Sequence, residues 1–373
     1  MEIAVNTRFL LPGRIEGLGR FSHEVLRRMV QQQPDVVFHF FFDRPYDADY
    51  LYGPNVVPHV LSPQARHPLL YYLFFEHAVR RKLSRLNPAV FFSPDGYLSL
   101  ASRLPQVPVF HDLAYMHYPQ YVGPAHRWHY RHFFPRYAQK AAHILTVSSY
   151  SKADIVQYFR VPESKVTVCH NGAGEVFRPL GEAEREKARA AFAEGKPYFL
   201  YVGSIHPRKN LENLLRAFER FKEQTGHPAK LLLTGRKAWD FENVIQFYTQ
   251  MRHRDDVCFT GYVDDESLNQ LLNGALALCY VSLFEGFGLP ILEAFRAETA
   301  VLCSNTSSMP EVAGDAALLA DPTLPEQIAH QMEQLLDADL RQSLIARGQQ
   351  QRLHFSWDQT ARICFHTLQQ VAR

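Results

Sequence analysis

The sequence predicts an α/β protein of two doubly wound, mostly parallel sheets, and three observations predict it. Short apolar β-rich runs alternate with helical stretches from end to end. The alternation breaks once, around 175–196. At 373 residues the chain is too long for one ordinary core and comfortable as two. Buried strands separated by helices imply parallel sheets covered on both faces.

In the first half the strand candidates are 3–9, 36–42, 89–93, 107–111, 143–148 and 166–170. Helical patterns lie between them at 19–33, 67–86, 126–142 and 149–159. The rhythm restarts with strand 198–202, helix 210–225, strand 229–234 and helix 240–253. Strand 257–260, helix 264–273, strand 277–281, helix 289–296 and strand 300–304 follow. The charged run Glu182-Ala183-Glu184-Arg185-Glu186-Lys187 falls in the break and reads as a linker. The expected organisation is a domain over 1–178, a linker over 179–196, a second domain over 197–354, and a helix over 355–373 packing back toward the first domain. Two such domains would face each other across a cleft, and ligands in open parallel sheets bind at the carboxyl ends of the strands.

Composition narrows the class. Hydrophobic residues at 46% and charged residues at 21% are the balance of a soluble globular protein. No apolar run reaches the ~18–20 residues of a membrane-spanning helix. Met1-Glu2-Ile3-Ala4-Val5 reads directly as a strand, so no signal peptide is expected. The five cysteines are scattered and odd in number, which fits neither a disulfide framework nor a zinc site. A cytoplasmic protein with reduced thiols is expected. Within 51–150 there are 10 basic and 3 acidic residues, together with many aromatics. Such a face fits either an anionic membrane met peripherally or a solvated helical surface with aromatics packed beneath it. No nucleic-acid partner is expected.

Four strand-end segments can carry chemistry. Glu285 and Glu293 flank Gly286-Phe287-Gly288-Leu289-Pro290, with a proline suited to a helix's first turn. Amides at that helix start make an anion site, and glycines let a ligand approach the backbone. Two carboxylates around such a nest suit a ligand with hydroxyls at both ends and phosphates between. Taken alone, a strand–turn–helix corner with two surface glutamates explains the segment as well.

The second segment is Gly203-Ser204-Ile205-His206-Pro207-Arg208-Lys209. It places two cations where a diphosphate leaving group would gain charge. The third, His111-Asp112, ends an apolar strand and could meet a sugar hydroxyl or simply form a structural pair. The fourth, Glu16-Gly17-Leu18-Gly19-Arg20, opens a helix, but Ser22 replaces the third glycine of a dinucleotide fingerprint. It remains able to bind another anionic group.

Together these pieces resemble the retaining glycosyltransferases of family 4, which have the GT-B fold of two Rossmann-like domains. The resemblance runs through Val147-Ser148, Ser151 and Asp154, Asn171-Gly172, Val202-Gly203, Arg208-Lys209-Asn210, Gly261-Tyr262-Val263 and the Glu285 to Glu293 element, in the family's order. Within the family the chain is similar to bacterial mannosyl-type enzymes of surface-polysaccharide assembly.

The resemblance implies transfer of a hexose, mannose from GDP-mannose or a UDP-linked sugar, to a glycan or lipid-linked acceptor. It implies donor-diphosphate binding by Arg208 and Lys209, with Gly203 and Ser204 beside them; Arg208 supplies the charge that many members place directly after the glycine. Glu293 would meet the ribose and Tyr262 and Val263 the base. Glu285 and the amides of Gly286, Phe287, Gly288 and Leu289 would hold the sugar. His111 would lie at the anomeric centre. Gly17, Gly19, Arg20 and Asp112 would border the acceptor. Retention would proceed by front-face attack, resting on positioning and charge stabilisation, with no metal and no cofactor. Asp47-Ala48-Asp49 resembles the metal-holding element of another glycosyltransferase type, but sits in a polar loop without further ligands. A sugar-nucleotide epimerase, a phosphorylase or a non-catalytic glycan-binding protein could share the architecture.

Overall fold

The computed structural model describes residues 1–11, 17–236 and 242–372. Glu16 and the start of the predicted helix 240–253 lie outside them. The chain divides into two compact units, one of Met1–Asn171 with Ser356–Arg373, the other Gly172–Phe355.

The first unit runs β1 (Glu2–Asn6), α1 (Leu18–Gln32), β2 (Val37–Phe42), β3 (Val56–Val60), α2 (Pro68–Leu73) and α3 (Arg80–Leu86). It continues with β4 (Val90–Ser93), β5 (Gln106–Phe110), α4 (Ala114–His117), α5 (Pro124–Lys140), β6 (Ile144–Thr146), α6 (Ser149–Phe159) and β7 (Val166–Val168). A π-helical turn, Phe74–Val79, joins α2 to α3, so the predicted helix over 67–86 is continuous but not uniform. The seven strands form one parallel sheet in the order β3-β2-β1-β4-β5-β6-β7. Strand order therefore reverses between β1 and β4, which is where such sheets open a crevice. The pattern missed β3 because Pro58 interrupts it, and an edge strand tolerates a proline.

In the second unit the elements are α7 (Glu182–Ala193), β8 (Tyr198–Val202), α8 (Leu211–Thr225), β9 (Lys230–Thr234), α9 (Glu242–Gln250), β10 (Val257–Gly261), α10 (Asp265–Gly274) and β11 (Ala277–Tyr280). Then come α11 (Leu289–Arg296), β12 (Ala300–Ser304), α12 (Met309–Ala313), β13 (Leu318–Ala320), α13 (Pro325–Gln334) and α14 (Ala338–Gln351). Its parallel sheet is ordered β10-β9-β8-β11-β12-β13, with the reversal between β8 and β11. Strands β8, β9 and β11 are almost wholly buried, as their apolar runs require.

Two sequence expectations need correction. The first unit's opening segment ends at Asn171, not at 178. The segment 179–196 is not a linker, because Glu182–Ala193 form α7. Ala188 and Ala193 are buried, Ala188 lies against Gly274 of α10, and Arg189 Nε donates to Gly274 O at 3.2 Å. The charged run is the outer face of an amphipathic helix.

The last helix, α15 (Trp357–Val371), belongs to the first unit. Trp357 meets Phe21 of α1 edge-on with ring centroids 6.1 Å apart. Arg28 Nε donates to Asp358 Oδ1 at 2.9 Å, and the Thr360 hydroxyl donates to His170 O. All five cysteines are free thiols. Among the described residues no helix is long and apolar enough to cross a membrane.

Candidate active site

The second unit's reversal point carries the candidate cations. Beyond β8 the chain turns at Gly203, whose φ of 147° favours glycine, and enters a 3₁₀ turn over Pro207–Lys209. His206 Nδ1 accepts from Arg208 N at 3.2 Å, and Asn210 follows in the left-handed region with φ 62°. That strained residue is held by its side chain, since Asn210 Nδ2 donates to Val281 O at 2.9 Å and Pro322 O at 2.6 Å. The turn is thereby pinned to the loop after β11, and Leu283 N donates to Arg208 O at 2.9 Å.

Glu285 sits on that second loop and meets both cations. Lys209 Nζ donates to Glu285 Oε1 at 2.6 Å and to the Tyr280 hydroxyl at 3.0 Å. Arg208 Nη1 lies 3.2 Å from Glu285 Oε2 and also donates to Phe284 O. The Glu285 side chain is 9% exposed. Burial alone would push its carboxyl up, but the charges of Lys209 and Arg208, with the Lys209 hydrogen bond, hold it at about 2. It is a permanent carboxylate rather than a proton donor.

The rest of the loop is built as a helix start. Gly288, with φ 112°, is the N-cap residue of α11, and Leu289-Pro290 open the helix. Ser307 Oγ accepts from Glu285 N at 3.0 Å, and Ser308 Oγ lies 2.9 Å from Glu285 O and 2.8 Å from Phe287 O. Gly286, Phe287 and Gly288 are buried, while Leu289 and Glu293 are half-buried. Neighbouring strand-end loops are laced together by Gly203 N to Thr234 O and Gly235 N to Gly261 O, both 2.9 Å. This seats Tyr262, which is exposed, and Val263 just beyond β10. Ser204 O accepts from the Tyr201 hydroxyl at 3.1 Å.

In the first unit, His111 directly follows β5. Its Nε2–H donates to Pro94 O at 2.7 Å, and burial lowers its pKa, so the ring is neutral with Nδ1 as the acceptor. Phe21 packs edge-on against it at 4.9 Å, bringing the first turn of α1 beside His111. Gly17 is the N-cap residue of α1, Gly19 is buried in its first turn, and Arg20 is half-buried. Asp112 Oδ1 accepts from Ala114 N at 2.9 Å. Asp47 is likewise spent locally, capping a 3₁₀ turn by accepting from Asp49 N at 3.1 Å.

A family model described as Glycosyl transferases group 1 matches residues 182–351, and one described as Glycosyltransferase Family 4 matches residues 15–173. The O-antigen chain mannosyltransferase B of Escherichia coli is 31% identical over 368 residues, 92% of this chain and 93% of that protein. The chain belongs to the family 4 glycosyltransferases and has the GT-B fold. An O-antigen chain mannosyltransferase of Salmonella typhimurium is 24% identical over 270 residues, covering 72% and 71% of the two chains. The fold is shared with sucrose-phosphate synthase from Thermosynechococcus elongatus at a TM-score of 0.82 and 17% identity, over 99% of this chain and 98% of that one.

The glycosyltransferase also contains supports to which sequence reading gave no role. Ser151 Oγ donates to His111 O at 3.1 Å, while Ser148 caps α6 by accepting from Ser151 N at 3.1 Å. The first unit's reversal point is filled by Arg8 and Asp95, hydrogen-bonded to each other and both buried. Asn6 Nδ2 donates to the other Asp95 oxygen at 2.7 Å, and the Arg8 guanidinium lies 4.2 Å over the Tyr97 ring. The carboxylate keeps Arg8 charged in spite of its burial. Asp95 lies two residues past the predicted strand 89–93, whereas Arg8 fell inside the predicted strand 3–9, which in the structure ends at Asn6.

Proposed function

We propose that this glycosyltransferase moves a hexose, with retention, from a nucleotide sugar to a glycan or lipid-linked acceptor of cell-surface polysaccharide synthesis. Mannose is the sugar that the names of the mannosyltransferase relatives favour, and GDP-mannose is the donor we propose for it. The observation that carries the reading is the cluster of Lys209, Arg208 and Glu285 beside the N-terminus of α11.

A departing nucleoside diphosphate carries charge that two fixed cations and a helix start stabilise in place. On donor binding, Lys209 and Arg208 turn part of their hydrogen bonding from Glu285 to the diphosphate. Glu285, ionised throughout, accepts from sugar hydroxyls and steadies positive charge at the anomeric carbon. Glu293 takes the ribose hydroxyls, and Tyr262 and Val263 border the base. In the first unit, neutral His111 accepts a hydroxyl proton's hydrogen bond through Nδ1, and the Gly17–Arg20 turn with Asp112 borders the acceptor. The leaving phosphate takes the acceptor proton. Arg208 and Lys209 supply the neutralising charge, so turnover is expected to survive excess chelator.

A thermal-shift series with GDP, UDP, ADP and their sugars tests the donor, because a ligand selective for the folded state raises the melting temperature. The expected result is a shift with GDP and GDP-mannose. A shift confined to UDP compounds assigns a UDP-sugar instead. Product formed from the nucleotide sugar alone would point to an epimerase.

A further inference from the structure

The turn after β4 is tied to several other segments through one carboxylate. The Asp95 side chain is 3% exposed, and both its oxygens are taken. Oδ1 accepts from Asn6 Nδ2 at 2.7 Å, the Ser93 hydroxyl at 3.0 Å and Tyr97 N at 3.3 Å. Oδ2 accepts from Arg8 Nε, which reaches across from the chain beyond β1. The Arg8 guanidinium is itself held, 4.2 Å over Tyr97 and 5.0 Å over Tyr71, with Nη1 donating to Ala65 O at 3.4 Å. A buried ion pair gains little stability over apolar side chains of similar volume, although losing one partner costs heavily. What it supplies is direction, since a charged hydrogen bond admits few geometries.

This turn carries the carbonyl that orients His111. Pro94, between Ser93 and Asp95, accepts from His111 Nε2–H at 2.7 Å. A carbonyl only accepts, so the bond keeps the proton of the neutral ring on Nε2 and leaves Nδ1 open as the acceptor. The turn also lies directly on the strand that leads to His111. Gly96 has φ 87°, and a Cβ there would stand 2.9 Å from the ring of Phe110, the residue before His111. Burial lowers the His111 pKa, and the Pro94 bond with the charges of Asp112 and Asp95 opposes it.

We propose that Arg8 and Asp95 are positioning residues for His111: their pair fixes the Pro94 carbonyl, and the carbonyl sets the tautomer and orientation of the ring. The part this plays in the reaction rests on the reading of His111 as acceptor of a hydroxyl's hydrogen bond through Nδ1. A ring turned over, or one protonated on Nδ1, could not accept there.

The test reads the ring itself, by nitrogen–proton NMR correlation of the full chain with labelled histidine near neutral pH, His111→Gln assigning the signal. The parent should show one tautomer, its two ring nitrogens far apart in shift. In Arg8→Met the two shifts should move toward each other as the tautomers mix, and likewise in Arg8→Met/Asp95→Asn, which leaves no lone buried charge. Arg8→Lys, which keeps a charged donor, should stay nearer the parent. Release of nucleoside diphosphate from GDP-mannose, or from the UDP-sugar that replaces it, should slow by about ten- to a hundred-fold in Arg8→Met. The Kd for GDP or UDP should not change, because Arg208 and Lys209 lie on the second unit. In a His111→Gln background the same substitution should slow release by less than about two-fold further, because nothing is left to position.

Melting like the parent shows that a variant is folded, and the paired variant carries the test where Arg8→Met does not. Unmoved ring shifts in a folded variant overturn the proposal, as does an equal loss in the His111→Gln background. Full turnover in His111→Gln alone overturns the role given to His111 instead, and the ring shifts, which need no substrate, then decide the positioning by themselves.

Discussion

Lys209 and Glu285 are 76 residues apart in sequence, yet Nζ and Oε1 lie 2.6 Å from each other. The contact joins the loop after β8 to the loop after β11, the two strands between which the sheet order reverses. A cation and an anion placed together at that point hold each other in position before any ligand arrives. Preorganised charge of this kind costs no rearrangement at the moment of reaction.

Replacing Lys209 by alanine should lower kcat by about two to three orders of magnitude, the usual effect of removing one donor to developing charge. Single-turnover kinetics with the fitting donor measures it, with thermal melting as the check on folding. Turnover close to that of the parent would remove Lys209 from the site.

Acid titration tests the same pair from the other side. The folded state holds the Glu285 carboxyl at about 2, below its ordinary value of 4.5. Its ionisation therefore stabilises the fold above pH 4.5, and that stability is lost as the pH falls toward 2. The loss is on the order of 3 kcal/mol. Glu285→Gln should show a shallower decline in stability over that window than the parent. Parallel declines would mean that Lys209 and Arg208 do not hold the carboxylate.

Glu293→Ala should weaken nucleoside-diphosphate binding by roughly ten-fold or more, the loss of a hydrogen bond to a charged group. Calorimetry reads this directly, and an unchanged Kd contradicts the ribose contact.

His129 supplies a prediction about stability alone. Its ring is 1% exposed, both nitrogens are without hydrogen-bond partners among the described residues, and Tyr97 and Phe133 flank it at 5.7 and 4.6 Å. Burial, with His126, Arg8 and His132 nearby, lowers its pKa to about 4. The unfolded chain takes up this proton near pH 6.5 and the folded one does not, so stability falls as the pH drops from 6.5 toward 4. His129→Phe should lose less stability than the parent between pH 7.5 and pH 5, by roughly 1 to 2 kcal/mol. Denaturant unfolding at the two pH values measures it.

The sequence made the strand-end loops readable because each is contiguous: a buried run, a turn and a helix start stand side by side, as from Tyr280 to Glu293. What holds those loops was not readable. Ser308 meets Glu285 O across 23 residues, Asn210 meets Pro322 O across 112, and Arg8 meets Asp95 across 87. Such pairs exist only once the sheet order is known. The misreading of α7 has a different cause. Its solvent face is dense in charge, and its inner one is marked by the small buried Ala188 and Ala193.

The first unit is closed by α15, whose Trp357, Asp358 and Thr360 contact Phe21, Arg28 and His170. The chain therefore leaves this unit after Asn171 and returns to it at Ser356. During synthesis the second unit emerges entire before the first can be completed. Until its last helix arrives, the N-terminal sheet waits on the ribosome with Phe21 and Cys169 short of their cover. A chain that has left the ribosome as far as residue 355 would carry a whole second unit and a first unit that still lacks α15.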